Sequence, residues 1–271
     1  KLFNPAKVII EKAIVLAEEN GQINQLLELY ELQLRLYHST TNTTGLSSLL
    51  QNTESKRSGV LNHLKWNWEL QDISYQLFIM LKTEWVGGER SALGLLKRLE
   101  HIDPEKLPAA SLRISYYQAL SGVYFSRNET QSAHACLLKI RSEFLNSPEL
   151  VTRYFNQYVA TMNNLNLLLA EKGDYEAVNE NVKNMRSVKA ETAEQKIRIL
   201  ERVVNAELAI LRARKKFNEG EELLKEAAYL LKNKKLSLVY KLLFRFDICV
   251  FRLLQKDYSE ALYWLREMRK E

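Results

Sequence analysis

"LLQKDYSEALYWL", residues Leu253–Leu265, reads as the end of one helix, a tight polar corner and the start of another. Tyr258 opens the second helix, a small residue (Ala261) follows three positions later, and apolar residues continue at helical spacing. The same order occurs five more times. "EKGDYEAVNENV" places Tyr175 before Val178 and Val182. "RKKFNEGEELL" places Phe217 before Gly220 and Leu224. "SRNETQSAHACL" places Thr130 before Ala133 and Leu137. "VGGERSALGLL" places Glu89 before Ala92 and Leu96, and "ENGQINQLLELY" places Ile23 before Leu26 and Tyr30. The anchors fall at 23, 89, 130, 175, 217 and 258, and the last five are separated by 41, 45, 42 and 41 residues. Such a period in a helical chain implies hairpins that cannot bury their apolar stripes singly and do so by lying on their neighbours. An anchor residue would plug the gap between two helix axes, and a small residue one turn on would let them approach closely.

This pattern resembles the tetratricopeptide repeat family. Tyr117, Leu120, Ser121 and Tyr124, followed by Ala133 and Leu137, follow that family's arrangement of an aromatic, Leu, small residue and Tyr on helix A and Ala with a large residue on helix B. The corners "GDYEA" (Gly173–Ala177) and "KDYSEAL" (Lys256–Leu262) are nearest its turn. The family's usual period is shorter, so helices about one turn longer are expected here. The resemblance implies an all-α, right-handed α-α superhelix, a tetratricopeptide-like solenoid of about six hairpins, over 1–271 as a single domain. The expected helix pairs are 5–20 with 22–38, 54–85 with 89–100, 108–126 with 130–146, 148–172 with 174–188, 191–214 with 217–233, and 235–255 with 258–270.

The composition agrees. The 271 residues include only 9 Gly and 4 Pro, too few for folds built on many turns, and 46 % hydrophobic with 27 % charged residues suits a folded, water-compatible chain. Pro5 and Pro148 stand where first helical turns are expected, and Asp174 and Asp257 stand at helix starts as caps. One region breaks the period: His38–Gly59, "HSTTNTTGLSSLLQNTESKRSG", is rich in Ser, Thr and Asn, which compete with the helix for backbone hydrogen bonds. It predicts a polar loop insertion over 38–59, with at most a short helix around Leu46–Gln51. The following "LNHLKWNWELQDISYQLFIMLKTEW" (Leu61–Trp85) holds three of the four Trp, expected mainly to staple a long helix to its neighbours.

Chemistry is hard to find. The four His are 38, 63, 101 and 134, with no i, i+4 pair and no HExxH. Cys136 and Cys249 have neither metal nor redox spacing and suit a reducing compartment. "VGGERS" (Val86–Ser91) lacks the Lys of a phosphate loop and reads as a corner. No apolar run approaches a membrane span, no signal peptide is visible, and the chain begins at Lys1 rather than Met, as a fragment of a longer protein would. The net charge of +6 is spread along the chain, and "KNKK" (Lys232–Lys235) reads as a solvated helix end rather than a nucleic-acid stripe.

These features predict a cytoplasmic, non-catalytic protein-protein or peptide-binding scaffold without cofactor or metal. The partner would be a protein or an extended peptide of acidic character, with no nucleic acid and no membrane. In the resembling family, groove positions on helix A contact extended peptides. Carried to this sequence, they give Ser115 and Gln118, Asn163, and Arg202, Asn205 and Arg212. Asn offers a donor and an acceptor to a peptide backbone, and Arg forks onto carboxylates. The same positions in the last hairpin are apolar (Leu243, Phe246, Val250, Leu253), which would turn Arg245 and Arg252 outward. A competing expectation comes from a resemblance to the longer repeats of peptide-pheromone-responsive bacterial regulators and aspartyl phosphatases. It would make the chain a peptide-sensing domain whose effector domain lies outside it.

Overall fold

The computed structural model describes residues 3–39, 45–83 and 89–269; the corner at 86–88 and Trp85 lie outside the described residues. Every regular element among them is helical: α1 (Phe3–Glu19), α2 (Ile23–His38), α3 (Leu46–Thr83), α4 (Glu89–Glu100), α5 (Ala110–Ser126), α6 (Thr130–Asn146), α7 (Glu149–Arg153), α8 (Phe155–Glu171), α9 (Tyr175–Ser187), α10 (Ala193–Ala213), α11 (Glu221–Leu231), α12 (Leu238–Leu254) and α13 (Tyr258–Met268), with 3-10 turns at Pro104–Lys106 and Phe217–Gly220. All six anchors are the first residue of a helix or of the 3-10 turn leading into one.

The corner quoted first is one of a set with the same atomic construction. Two residues before five of the anchors, the backbone turns left-handed: Gly21, Asn128, Gly173, Lys215 and Lys256 have φ of 59, 59, 74, 57 and 68°. The amide of the next residue always reaches five residues back, from Gln22 to Ala17, Glu129 to Tyr124, Asp174 to Leu169, Lys216 to Leu211 and Asp257 to Arg252, at 2.8–2.9 Å. The left-handed residue itself donates three residues back each time. This is the Schellman termination, which satisfies the last carbonyls of the outgoing helix and reverses the chain within about three residues. Asp174 and Asp257 then cap the incoming helix, accepting from the amides of Ala177 at 3.1 Å and Glu260 at 3.2 Å.

The anchors plug only some of the corners: Ile23 and Phe217 pack on the neighbouring cores, while the residue three positions after the anchor is buried in every case, as Leu26, Ala92, Ala133, Val178, Gly220 and Ala261. Two anchors, Thr130 and Tyr258, are exposed. Phe217 alone of the aromatic anchors packs edge-on to a buried ring, that of Phe251 at 5.5 Å.

The helices form two compact units, residues 1–129 and 130–271. In the first, α1 packs on α2, α2 on α3, and α3 on α4 and α5. Leu70, Ile73, Leu77, Leu99, Leu112 and Val123 form its main core, and Ile14, Ala17, Leu26 and Tyr30 a smaller one between α1 and α2. Residues 46–59, expected as a polar insertion with at most a short helix around 46–51 before a helix starting at 54, are instead the continuous first turns of the 38-residue α3. Tertiary contact overrides their weak helix propensity. Thr53 is buried against α2 and donates its hydroxyl to Gln33 Oε1 at 3.1 Å, while Ser55 and Ser58 face outward. Residues 40–44 of the same stretch lie outside the described residues.

In the second unit the order of neighbours is regular. Helices α6, α8, α10 and α12 pack in succession, α9 lies on α8 and α10, α11 on α10 and α12, and α13 on α12. Val204, Leu208, Leu224, Ala227, Leu230, Phe244, Ile248 and Phe251 form the core joining α10, α11 and α12. The helix expected over 148–172 is broken at Tyr154 (φ −113°, ψ 38°) into α7 and α8.

Candidate functional site

Four of the six sequence-derived positions, Asn163, Arg202, Asn205 and Arg212, lie in the second unit on the adjacent helices α8 and α10. The third helix in that row, α12, supplies partners that the sequence alone did not reveal. Tyr240 donates its hydroxyl to Asn163 Oδ1 at 3.4 Å, and the guanidinium of Arg202 lies 5.5 Å from the centre of the Tyr240 ring. Arg202 also donates to the carbonyl of Arg198 at 3.1 Å and pairs with the neighbouring Glu201. Glu201 is buried, and burial pushes its carboxyl up from the ordinary range against the opposing pull of Arg202 and Arg198. Burial likewise raises the Tyr240 phenol.

Arg198 extends this group to α8, donating to Asn156 Oδ1 at 3.0 Å while holding Glu194 at 3.0 Å. Between α10 and the start of α12 lies a concavity of about 230 Å3. Arg198, Glu201, Arg202, Lys235, Ser237 and Tyr240 line it. Ser237 caps α12, its hydroxyl accepting from the amide of Tyr240 at 3.4 Å.

Arg212 stands ten residues further along α10, about 15 Å at 1.5 Å per residue. It pairs with Asp247 of α12 and lies 5.7 Å over the Phe246 ring. The two members of the pair sit in different surroundings: the Asp247 side chain is 2 % exposed and that of Arg212 is 39 % exposed. Burial raises the Asp247 carboxyl to about 6, with Arg212 opposing the rise. The outer edge of Arg212 is therefore open to solvent while its inner edge is held. Asn205, between the two arginines, is half-buried, and its side-chain amide makes no hydrogen bond among the described residues.

Ser115 and Gln118 lie on α5 in the first unit, both half-buried. Ser115 donates its hydroxyl to the Ser111 carbonyl at 3.0 Å, and the backbone carbonyl of Gln118 accepts from Ser121 at 2.9 Å. Arg252, expected to point outward, is instead a half-buried clamp. It grips Glu221 of α11 through two bonds of 2.7 and 2.8 Å and Glu260 of α13 at 2.8 Å. The apolar positions Leu243, Phe246 and Leu253 are the ones that face solvent. Asp247 is the partner that a sequence could have disclosed: one acid within "FRFDICVF" must find a cation when that helix is buried.

Elsewhere, Cys136 is buried with its thiol pushed up to about 11. Nδ1 of His134 lies 3.5 Å from Lys172 Nζ. Among the described residues there is no group of three His, Cys, Asp or Glu side chains able to hold a metal ion, and no helix long and apolar enough to cross a membrane. No protein-family model, curated protein or solved structure matches the chain.

Proposed function

We propose that this chain is a protein-interaction module, a tetratricopeptide-like superhelix whose recognition surface is the row of helices α8, α10 and α12, and that its ligand is an extended acidic segment. The supporting observation is the convergence of Asn163, Arg202 and Tyr240 from three successive helices on one surface, with Arg212 and Phe246 further along it. An aromatic ring beneath a guanidinium holds the cation in place without consuming its donors. The part-exposed edge of Arg212 and the unbonded amide of Asn205 can then meet a carboxylate and a peptide group. Glu201 and Asp247 hold the inner edges of the two arginines, so a ligand carboxylate adds to an existing pair.

Fluorescence anisotropy with labelled hexapeptides rich in Asp and Glu, against Lys-rich counterparts, tests this reading. The acidic set binds and the basic set does not. Arg202→Glu weakens binding by about tenfold, roughly the worth of one charge-assisted contact, with unchanged circular dichroism. Equal binding of both sets, or no effect of Arg202→Glu and Arg212→Glu together, contradicts it.

A further inference from the structure

The first unit carries an apolar surface that its own core does not use. Trp68 and Tyr75 of α3 are 65 % and 66 % exposed, so the expectation that the Trp-rich stretch staples its helix inward holds for Trp66, which packs on the core, and not for Trp68. Leu61, Trp68 and Tyr75 are spaced by seven residues, and Ile79, exposed as well, follows one turn later. On a helix this is one stripe, the seam that α-helices use to pack along one another. Beside it is a groove of about 430 Å3 between α2 and α3, floored by Leu27, Leu61 and Leu64, walled by Trp68, and rimmed by Lys65 and Asp72.

We propose that this face is an isologous interface between two copies of the chain, with the α3 helices antiparallel and each Trp68 seated in the other copy's groove. Three features select a second copy as the occupant. The protruding group and the recess it fits lie on the same patch, as a two-fold contact requires. The groove, at about 430 Å3, has the volume for an indole and is lined by Leu27, Leu61 and Leu64, and the exposed indole of Trp68 is the largest apolar group lining it. The charges are self-complementary. A two-fold axis between positions 68 and 69 sets Lys65 opposite Asp72 of the second copy, twice, and Asp72 is already kept ionised by Arg98 at 2.8 Å. The flanking Glu69 is likewise held by Arg98, at 2.6 Å, so the patch as a whole is close to neutral and two copies do not repel. The same axis puts Ile79 opposite the small, exposed Ser58. Burying two indoles at the centre of such a contact is the arrangement of an interface hot spot.

Light scattering on the eluting protein and oxidative cross-linking test the proposal. The wild type elutes at tens of micromolar with twice the 31.6 kDa of one chain. Trp68→Glu and, separately, Tyr75→Glu elute at the single-chain mass with unchanged helicity, since both positions are exposed and neither belongs to the core. In a Cys136→Ser, Cys249→Ser background, Glu69→Cys lies beside the axis and gives a disulfide-linked dimer on oxidation, while Leu61→Cys does not. A wild type that is monomeric, or a dimer that survives Trp68→Glu, overturns the interface. Self-linkage at Leu61→Cys without linkage at Glu69→Cys overturns the antiparallel register. A face taken by an unrelated partner shows itself as a monomer whose Trp68→Glu variant behaves as the wild type.

Discussion

Adding one methyl group at Gly220 should destabilise the second unit, although the same change at Gly59 and Gly94 stabilises. A Cβ built on Gly220 stands 2.6 Å from Cε1 and 3.0 Å from Cδ1 of Phe251, and 3.4 Å from Leu211 Cδ1. Carbon pairs are comfortable at about 3.5–4.0 Å, so the ring must yield by about 1 Å. It has little room: Phe251 is fully buried and edge-on to Phe217. Overpacking of this kind costs about 1–3 kcal/mol, and the loss of Gly flexibility in the unfolded chain returns about 0.5–1 kcal/mol, leaving Gly220→Ala about 1–2 kcal/mol less stable. At Gly59 and Gly94 an added Cβ meets nothing within 4 Å, so Gly59→Ala and Gly94→Ala gain about 0.5–1 kcal/mol. Gly122 is intermediate, because its Cβ would meet the far end of the Leu77 side chain at 2.5 Å, and a leucine tip can turn aside. Urea unfolding followed by circular dichroism reads each change as a shift in midpoint at constant slope. If Gly220→Ala matches Gly94→Ala in sign with the fold intact, the close approach of α12 to the corner before α11 is wrong.

Two further outcomes follow from the corners and the buried acid. Lys215 and Lys256 hold left-handed backbone that costs a side-chain-bearing residue about 1–2 kcal/mol, so Lys215→Gly and Lys256→Gly each stabilise by about 0.5–1 kcal/mol in the same unfolding assay, while Gly173→Ala costs a similar amount. The Asp247 carboxyl titrates at about 6 in the folded protein and at 3.8 when free, so its contribution is fully present below pH 3.8 and is lost as pH rises through 6, a change of about 3 kcal/mol. Asp247→Asn removes that slope; the variant equals the wild type near pH 3.5 and exceeds it at pH 7.5 in parallel urea titrations.

The corners are legible in the sequence because a polar tripeptide, a left-handed residue and a buried residue three positions after the anchor are local requirements, and local requirements leave a local mark. The helix starts after the five described left-handed corners follow from them. The unbroken start of α3 is not legible, since Ser, Thr and Asn argue against helix and the packing of α3 on α2, with Thr53 buried on Gln33, opposes them. The break at Tyr154 leaves no mark either, because "TRYFNQY" is a helix-compatible string. For the candidate surface, the sequence supplies Asn163, Arg202, Asn205 and Arg212 but not their surroundings. Tyr240 is 77 residues from Asn163, and Asp247 is 35 from Arg212. Those partners turn arginines that look free on a helical wheel into partly engaged ones, and Arg252 into a clamp joining three helices.

We propose that the helices of the second unit, each packed on its immediate neighbours, are held by those neighbours rather than by a single shared core. Hydrogen exchange measured by mass spectrometry on Phe244→Leu addresses it directly, because Phe244 is fully buried among residues of α10, α11 and α12. Exchange is expected to quicken in α10, α11, α12 and α13, with α6 and the first half of α8 unchanged. Uniform acceleration from α6 through α13 would contradict it.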